Sequence, residues 1–116
     1  MSMSVVLCTY NRGHLLDRSL RGYFNNIKDL SIPVELIIID DDSTDNTQEL
    51  VELWAYKLKL DIKYIKLFKK YGEWRDAASL INLGIRAAKG EFVIATHPEV
   101  IPGNETLQDM WSAYLD

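Results

Sequence analysis

At 116 residues the chain has room for one domain with a real core. Its 47% hydrophobic and 26% charged residues exclude a disordered or fibrous protein. A net charge of −4 with no basic stripe argues against nucleic-acid binding, because phosphates need cations to neutralise them. The loose run Lys57, Lys59, Lys63, Lys66, Lys69 and Lys70 reads instead as the solvated side of a helix end and of an edge strand. No apolar run approaches the roughly 20 residues of a membrane helix. The first apolar segment begins within a few residues of the amino terminus, too early for a signal peptide. A single cysteine, Cys8, excludes an internal disulfide; set among Val5, Val6 and Leu7, it reads as a small buried hydrophobe in a reducing compartment. The expectation is a soluble, cytoplasmic protein with no membrane segment.

Elements follow in a regular order. Ser4–Cys8 is an apolar strand, and His14–Ile27 a helix with Leu16, Leu20, Tyr23, Phe24 and Ile27 on one face. Pro33 breaks the loop before a second strand, Val34–Ile39. A polar stretch, Asp40–Thr47, leads into a helix reaching about Lys59, with Leu50, Val51, Trp54 and Leu58 as its buried stripe. Asp45 with Gln48 three residues on resembles a capping pair. Ile62–Phe68 is a third strand, and Lys69–Arg75 a loop containing Gly72. Asp76–Lys89 reads as a helix buried through Ala77, Leu80, Ile81, Ile85 and Ala88, with Gly90 terminating it. Glu91–Ala95 is a fourth strand, and Glu105–Leu115 a last helix after a loop with two prolines. That helix meets Asp116 with no stop signal, which reads as a cut rather than an end.

Strands alternating with helices predict right-handed crossovers and an α/β fold with a mainly parallel sheet, expected order 3-2-1-4. In such sheets ligands bind beyond the carboxyl ends of the strands, at the point where the strand order reverses. The loops from Thr9, Asp40 and Thr96 are then expected to converge. The acids Asp40, Asp41 and Asp42 close an apolar run that reads as a strand buried on both faces. Three adjacent like charges need cations or hydrogen-bond donors to offset them. No glycine-rich dinucleotide fingerprint and no phosphate loop is present.

Three blocks then carry a resemblance: Ser4-Val-Val-Leu-Cys-Thr-Tyr-Asn-Arg12, Glu35-Leu-Ile-Ile-Ile-Asp-Asp-Asp-Ser-Thr-Asp-Asn-Thr47, and Asn82-Leu-Gly-Ile-Arg-Ala-Ala-Lys-Gly-Glu91. In this order they resemble the amino-terminal half of family 2 glycosyltransferases. The resemblance implies a Rossmann-like three-layer sandwich of the GT-A type that binds a nucleoside-diphosphate sugar, with a UDP-sugar as the expected donor. It implies that Thr9 lines the nucleotide pocket, with Tyr10 and Asn11 shaping the turn. Asp41 matches the acid that accepts a hydrogen bond from the base, and Asp40 supports the loop or the ribose. Asn82 and Gly84 match an Asn-x-Gly motif, with Arg75 upstream within reach of a phosphate or base.

The metal motif departs from the family pattern. Where an Asp-x-Asp is usual, seven residues after Gly90, the chain has His97-Pro98-Glu99. Glu99 retains one oxygen ligand for Mn2+ or Mg2+, and His97 replaces an acid, which suits manganese better than magnesium. The family's acceptor base falls outside these residues, so the 116-residue piece is expected to have a donor pocket and little or no transfer activity.

Plainer readings stand beside these. Taken without the other two blocks, the acids read equally as a polar turn feeding the Asp45 cap. His97 and Glu99 read as a proline turn with a solvated acid, Arg75 as a surface residue, and His14 as exposed. Trp54 reads as core, and Trp74 as a loop anchor or stacking platform. A non-catalytic nucleotide-binding or scaffold module with a degenerate metal site is the rival function. A receiver domain fits poorly, because its acids follow the first strand. An exposed sheet edge makes self-association plausible.

Overall fold

The computed structural model describes residues 1–57, 59–70, 73 and 75–116. The expected roles of Leu58, Gly72 and Trp74 lie outside the described residues. The elements are β1 (Met3–Thr9), α1 (Gly13–Ile27), β2 (Val34–Asp40), α2 (Thr47–Lys57), β3 (Ile62–Lys66), α3 (Ala77–Ala87), β4 (Phe92–Thr96) and α4 (Thr106–Leu115). All pairings are parallel, in the order β3-β2-β1-β4. This is the expected α/β architecture and strand order.

Side-chain alternation splits the core into two layers. Met3, Val5 and Leu7 of β1, with Leu36 and Ile38 of β2, face Leu16, Leu20, Tyr23, Val51, Trp54, Leu107 and Trp111. Val6, Cys8, Ile37 and Ile39 point the other way, onto Leu80 of α3. Both central strands are covered on both faces, which is why their sequences run apolar without alternation. Each fully buried aliphatic side chain contributes about 1.5–3 kcal/mol relative to exposure. Trp54 is core, as expected, and its Nε1 also donates to Asp17 Oδ1 at 2.8 Å, tying α2 to α1.

Some local expectations are corrected. The Asp45–Gln48 pair is not formed: Gln48 donates to Glu52, while Asp45 accepts from Thr47 N at 3.1 Å and from Gly13 N at 3.0 Å. Asp45 therefore joins the start of α2 to the start of α1. Ala77 and Ile85 are exposed rather than buried. The contact line of α3 runs through Leu80 and Gly84, because a glycine lets the helix rest directly on Val6. Gly90 does not terminate α3, whose cap is Ala88 in extended conformation. It lies instead against the backbone of Met3 and Ser4. β3 stops at Lys66, two residues early, and Phe68 is 76% exposed. Lys63 and Lys66 do lie on that edge strand, where they donate to the carbonyls of Ala87 and Ser43. Among the described residues no helix is long and apolar enough to cross a membrane.

Two carboxylates make the fold acid-sensitive. Burial raises Glu35, but the Ser4 hydroxyl, the Lys89 N–H and the charges of Lys63 and Lys89 outweigh it and hold the carboxyl below 4.5. Burial likewise raises Asp45, but hydrogen bonds from Thr47 and Gly13 outweigh it and hold the carboxyl below its ordinary value. A folded-state pKa below the unfolded one contributes stability above the unfolded value, and that stability is lost as pH falls through the folded value. Urea midpoints are expected to hold from neutral pH to about pH 5 and to fall steadily below it. Glu35→Gln is expected to lower the neutral midpoint and flatten this fall. An unchanged slope in that variant contradicts the assignment.

Candidate nucleotide site

The parallel register aligns Thr9 with Asp40, and Leu7 with Thr96, so the ends of β2, β1 and β4 open on one side. Beyond them lies a cavity of about 310 Å³ lined by Cys8, Thr9, Tyr10, Asp41, Lys69, Arg75, Ala77 and Leu80. Four residues expected at a site therefore meet: Thr9, Tyr10, Asp41 and Arg75.

The acid triplet divides into three roles. Asp40 has no exposed surface and accepts from Ser43 N at 3.0 Å, from Ser43 Oγ at 2.6 Å, and from the Tyr64 hydroxyl. Burial and the Asp40 carboxylate push the Tyr64 hydroxyl up, so it stays protonated and donates. Asp40 thus supports the loop, and its oxygens are committed to it. Asp42 has a positive φ of 65° and accepts from Lys69 N at 3.1 Å, anchoring the chain that leaves β3. Asp41 alone faces the cavity.

Asp41 is 3% exposed and sits between two cations. Arg75 Nη1 donates to Oδ1, and Lys69 Nζ lies 3.0 Å from Oδ2. Arg75 also donates to the Phe68 carbonyl and pairs with Glu73 at 3.4 Å, so its fork is held from three sides. Beside them Thr9 is 4% exposed, and its Oγ1 is the one buried side-chain polar atom without a partner among the described residues. A buried orphan hydroxyl costs about 1–3 kcal/mol unless something fills its hydrogen bond.

Asn11 stands behind the site rather than in it. With φ 49° it turns the chain after β1, its N–H donates to Ser43 Oγ, and its Oδ1 accepts from Thr44 N at 2.7 Å. This locks the β1 and β2 loops together. Asn82 is not brought to the cavity; it lies exposed on α3 beside Ser79, Leu83 and Arg86. Lys69 is the residue sequence reading missed. By sequence it belongs to the solvated basic stretch, and nothing in local spacing distinguishes it from Lys70. Only the Asp42 contact brings it over the site.

His97 and Glu99 lie at the rim. Glu99 is half-exposed and pairs with Arg12 Nε at 3.4 Å, while His97 Nδ1 is 3.9 Å from Cys8 Sγ. Burial, and then the charges of Glu99 and Asp41, push the Cys8 thiol up, which suits a buried hydrophobe rather than a nucleophile. No group of three or more His, Cys, Asp or Glu among the described residues is placed to hold a metal. One carboxylate and one imidazole are a sparse donor set, so a cation held there would take most of its ligands from phosphates and water.

Comparison with known proteins places this geometry. The pattern of glycosyl transferase family 2 matches residues 4–116. The chain is 32% identical over 111 residues to chondroitin synthase of Pasteurella multocida, covering 96% of this chain and 10% of that protein. It superposes on TarS of S. aureus in complex with UDP with a TM-score of 0.80 and 28% identity, covering 97% of this chain and 31% of that one. It superposes equally, at 0.80 and 25% identity, on a mannosyltransferase of Pyrobaculum calidifontis in complex with GDP-Man and Mn2+, covering 98% of this chain and 32% of that one. The chain thus spans a third or less of the length of these relatives, and the two solved structures have the GT-A fold. With the family pattern running through all four strands and both loops of the cavity, the chain belongs to glycosyl transferase family 2.

Proposed function

We propose that the cavity binds the nucleotide of a nucleoside-diphosphate sugar and that the chain serves as the donor-binding part of a glycosyltransferase. The observation that carries this reading is the Asp41 carboxylate, held between Arg75 and Lys69 on the cavity wall at the carboxyl end of the central strands. Asp41 accepts a hydrogen bond from a base N–H, Thr9 lines the nucleotide pocket, and Arg75 holds Asp41 in place or donates to a base carbonyl. A UDP-sugar is the donor this reading favours, in line with the UDP complex of TarS. Mn2+ or Mg2+ would be held by Glu99, with His97 beside it, and would supply charge neutralisation to a leaving diphosphate. Asn82 is assigned no contact in this scheme. The edge strand β4, with Val93 and Ala95 exposed, is the surface through which self-association would run.

Titration calorimetry with UDP, GDP and CDP, with and without Mn2+, tests the reading. UDP is expected to bind with a dissociation constant in the roughly micromolar to millimolar range typical of enzyme substrates. Mn2+ is expected to tighten UDP more than uridine. The rival is a scaffold module without catalysis, favoured by the engagement of Glu99 with Arg12 and the sparse metal ligands. Absence of binding by every nucleotide decides for it.

A further inference from the structure

One contact in the cavity serves no purpose that the donor-binding reading supplies. Lys69 Nζ lies 3.8 Å from the centre of the Tyr10 ring while it also pairs with Asp41 Oδ2 at 3.0 Å. It therefore fills the space between the Tyr10 ring and the Asp41 carboxylate, the only aromatic ring and the only carboxylate among the described residues that line the cavity. A planar base that touches Asp41 and stacks on this face of Tyr10 has to take the place the ammonium occupies.

We propose that Lys69 is a specificity-determining residue that makes this pocket select a nucleoside diphosphate over the free nucleoside. This rests on the reading of the cavity as a nucleotide site. A nucleoside offers the displaced ammonium nothing: its entry breaks a cation–π contact and a largely buried ion pair, with side-chain exposures of 20% for Lys69 and 4% for Asp41. A diphosphate offers the ammonium two anionic groups in exchange. The stem stays fixed during this exchange, because Lys69 N remains bonded to Asp42 and the side chain alone swings. Asp42, the acid with no ligand role, thereby gains a function: it sets the pivot. Arg75 cannot substitute, because its second nitrogen is held by the Phe68 carbonyl and Glu73.

The test is an NMR titration of the 116-residue chain, which reads weak binding, with uridine and UDP, and with guanosine and GDP as a second pair. The variants are Lys69→Met, Lys69→Arg and, as a control for lost charge alone, Lys70→Met, whose side chain is exposed. Lys69→Met is expected to bind uridine about three- to tenfold tighter, the size of a released cation–π contact, and UDP about tenfold weaker. Lys69→Arg is expected to restore most of the UDP affinity, and Lys70→Met to leave the UDP-to-uridine ratio unchanged. A uridine affinity unchanged or weakened in Lys69→Met overturns the proposal, since the base then enters without displacing the lysine. An equal loss for uridine and UDP also overturns it, as a purely structural role behaves that way. Should neither wild type nor variant bind any of the four ligands, the nucleotide reading itself falls and takes this proposal with it. Binding of UDP by wild type with no change in ratio sinks only the role of Lys69.

Discussion

Replacing Asp41 by alanine is expected to weaken UDP binding about ten- to a hundredfold while leaving the fold nearly as stable, and replacing Asp40 is expected to do the reverse. The two residues are neighbours in sequence, yet their oxygens have different obligations. Asp41 pairs with Arg75 and Lys69 at the cavity wall, and both cations already keep part of their side chains in solvent, 22% and 20%. Its backbone N–H keeps its bond to the Thr9 carbonyl in any variant. On the proposed reading, what is lost is the acceptor for the base, a hydrogen bond to a charged group contributing about 1.5–3 kcal/mol. Inorganic pyrophosphate, which has no base, is expected to bind Asp41→Ala at least as well as wild type, because two cations lose their counter-charge. Asp40 instead closes three hydrogen bonds inside the protein. Asp40→Ala leaves Ser43 N and the Tyr64 hydroxyl without a partner, at a cost of about 2–4 kcal/mol from those orphans together. Urea denaturation and calorimetry on both variants separate the roles. Equal losses of stability in the two would refute the division of the triplet.

The second large effect lies at the two glycines of the third sequence block. A Cβ at Gly84 meets Val6 Cγ1 at 2.2 Å, and one at Gly90 meets Ser4 Oγ at 2.5 Å, Ser4 N at 2.6 Å and Met3 C at 2.7 Å. Both are impossible distances, and overpacking of this kind costs about 1–3 kcal/mol, occasionally more. The obstacle differs, however. At Gly84 it is a side chain, so Val6→Ala is expected to return much of the stability lost in Gly84→Ala, with a coupling of about 1 kcal/mol or more. At Gly90 the obstacle includes the backbone of β1, and its N–H bond to Ser4 Oγ is lost as well. No trimming of a neighbour relieves that clash, and Gly90→Ala is expected to be the more damaging variant. Urea midpoints for the two single variants and the Val6 double variant check this. Rescue of Gly90→Ala by Ser4→Gly would show that the side chain, not the strand, was the barrier.

Most of the fold was legible from periodicity alone. β1 and β2 run apolar because both faces are covered, and α1 carries its stripe at helical spacing, so both were readable from a window of residues. The boundaries that slipped are those set by neighbours: β3 ends at Lys66 because its pairing with β2 ends at Asp40. The tilt of α3 slipped for the same reason. Ile85 looks buried by spacing, but the helix settles on whichever residue allows the closest approach, and that is Gly84. The site was legible where residues sit on strand ends, as Thr9, Tyr10 and Asp41 do. Asn82 was legible as a motif, yet it stands away from the cavity.

By itself the sequence determined the strand order, the crevice and the family, because these follow from the chain order of apolar runs and from three short blocks. The resemblance singled out Asp41, but residue patterns alone could not show that Asp40 is committed to internal hydrogen bonds, nor that Lys69 rather than Lys70 stands over Tyr10. Those choices depend on hydrogen bonds between loops far apart in the chain: Ser43 and Tyr64 closing on Asp40, and Asp42 holding Lys69. Local residue patterns record backbone preference and burial, and these pairings exist only once the sheet has brought the loops within bonding distance.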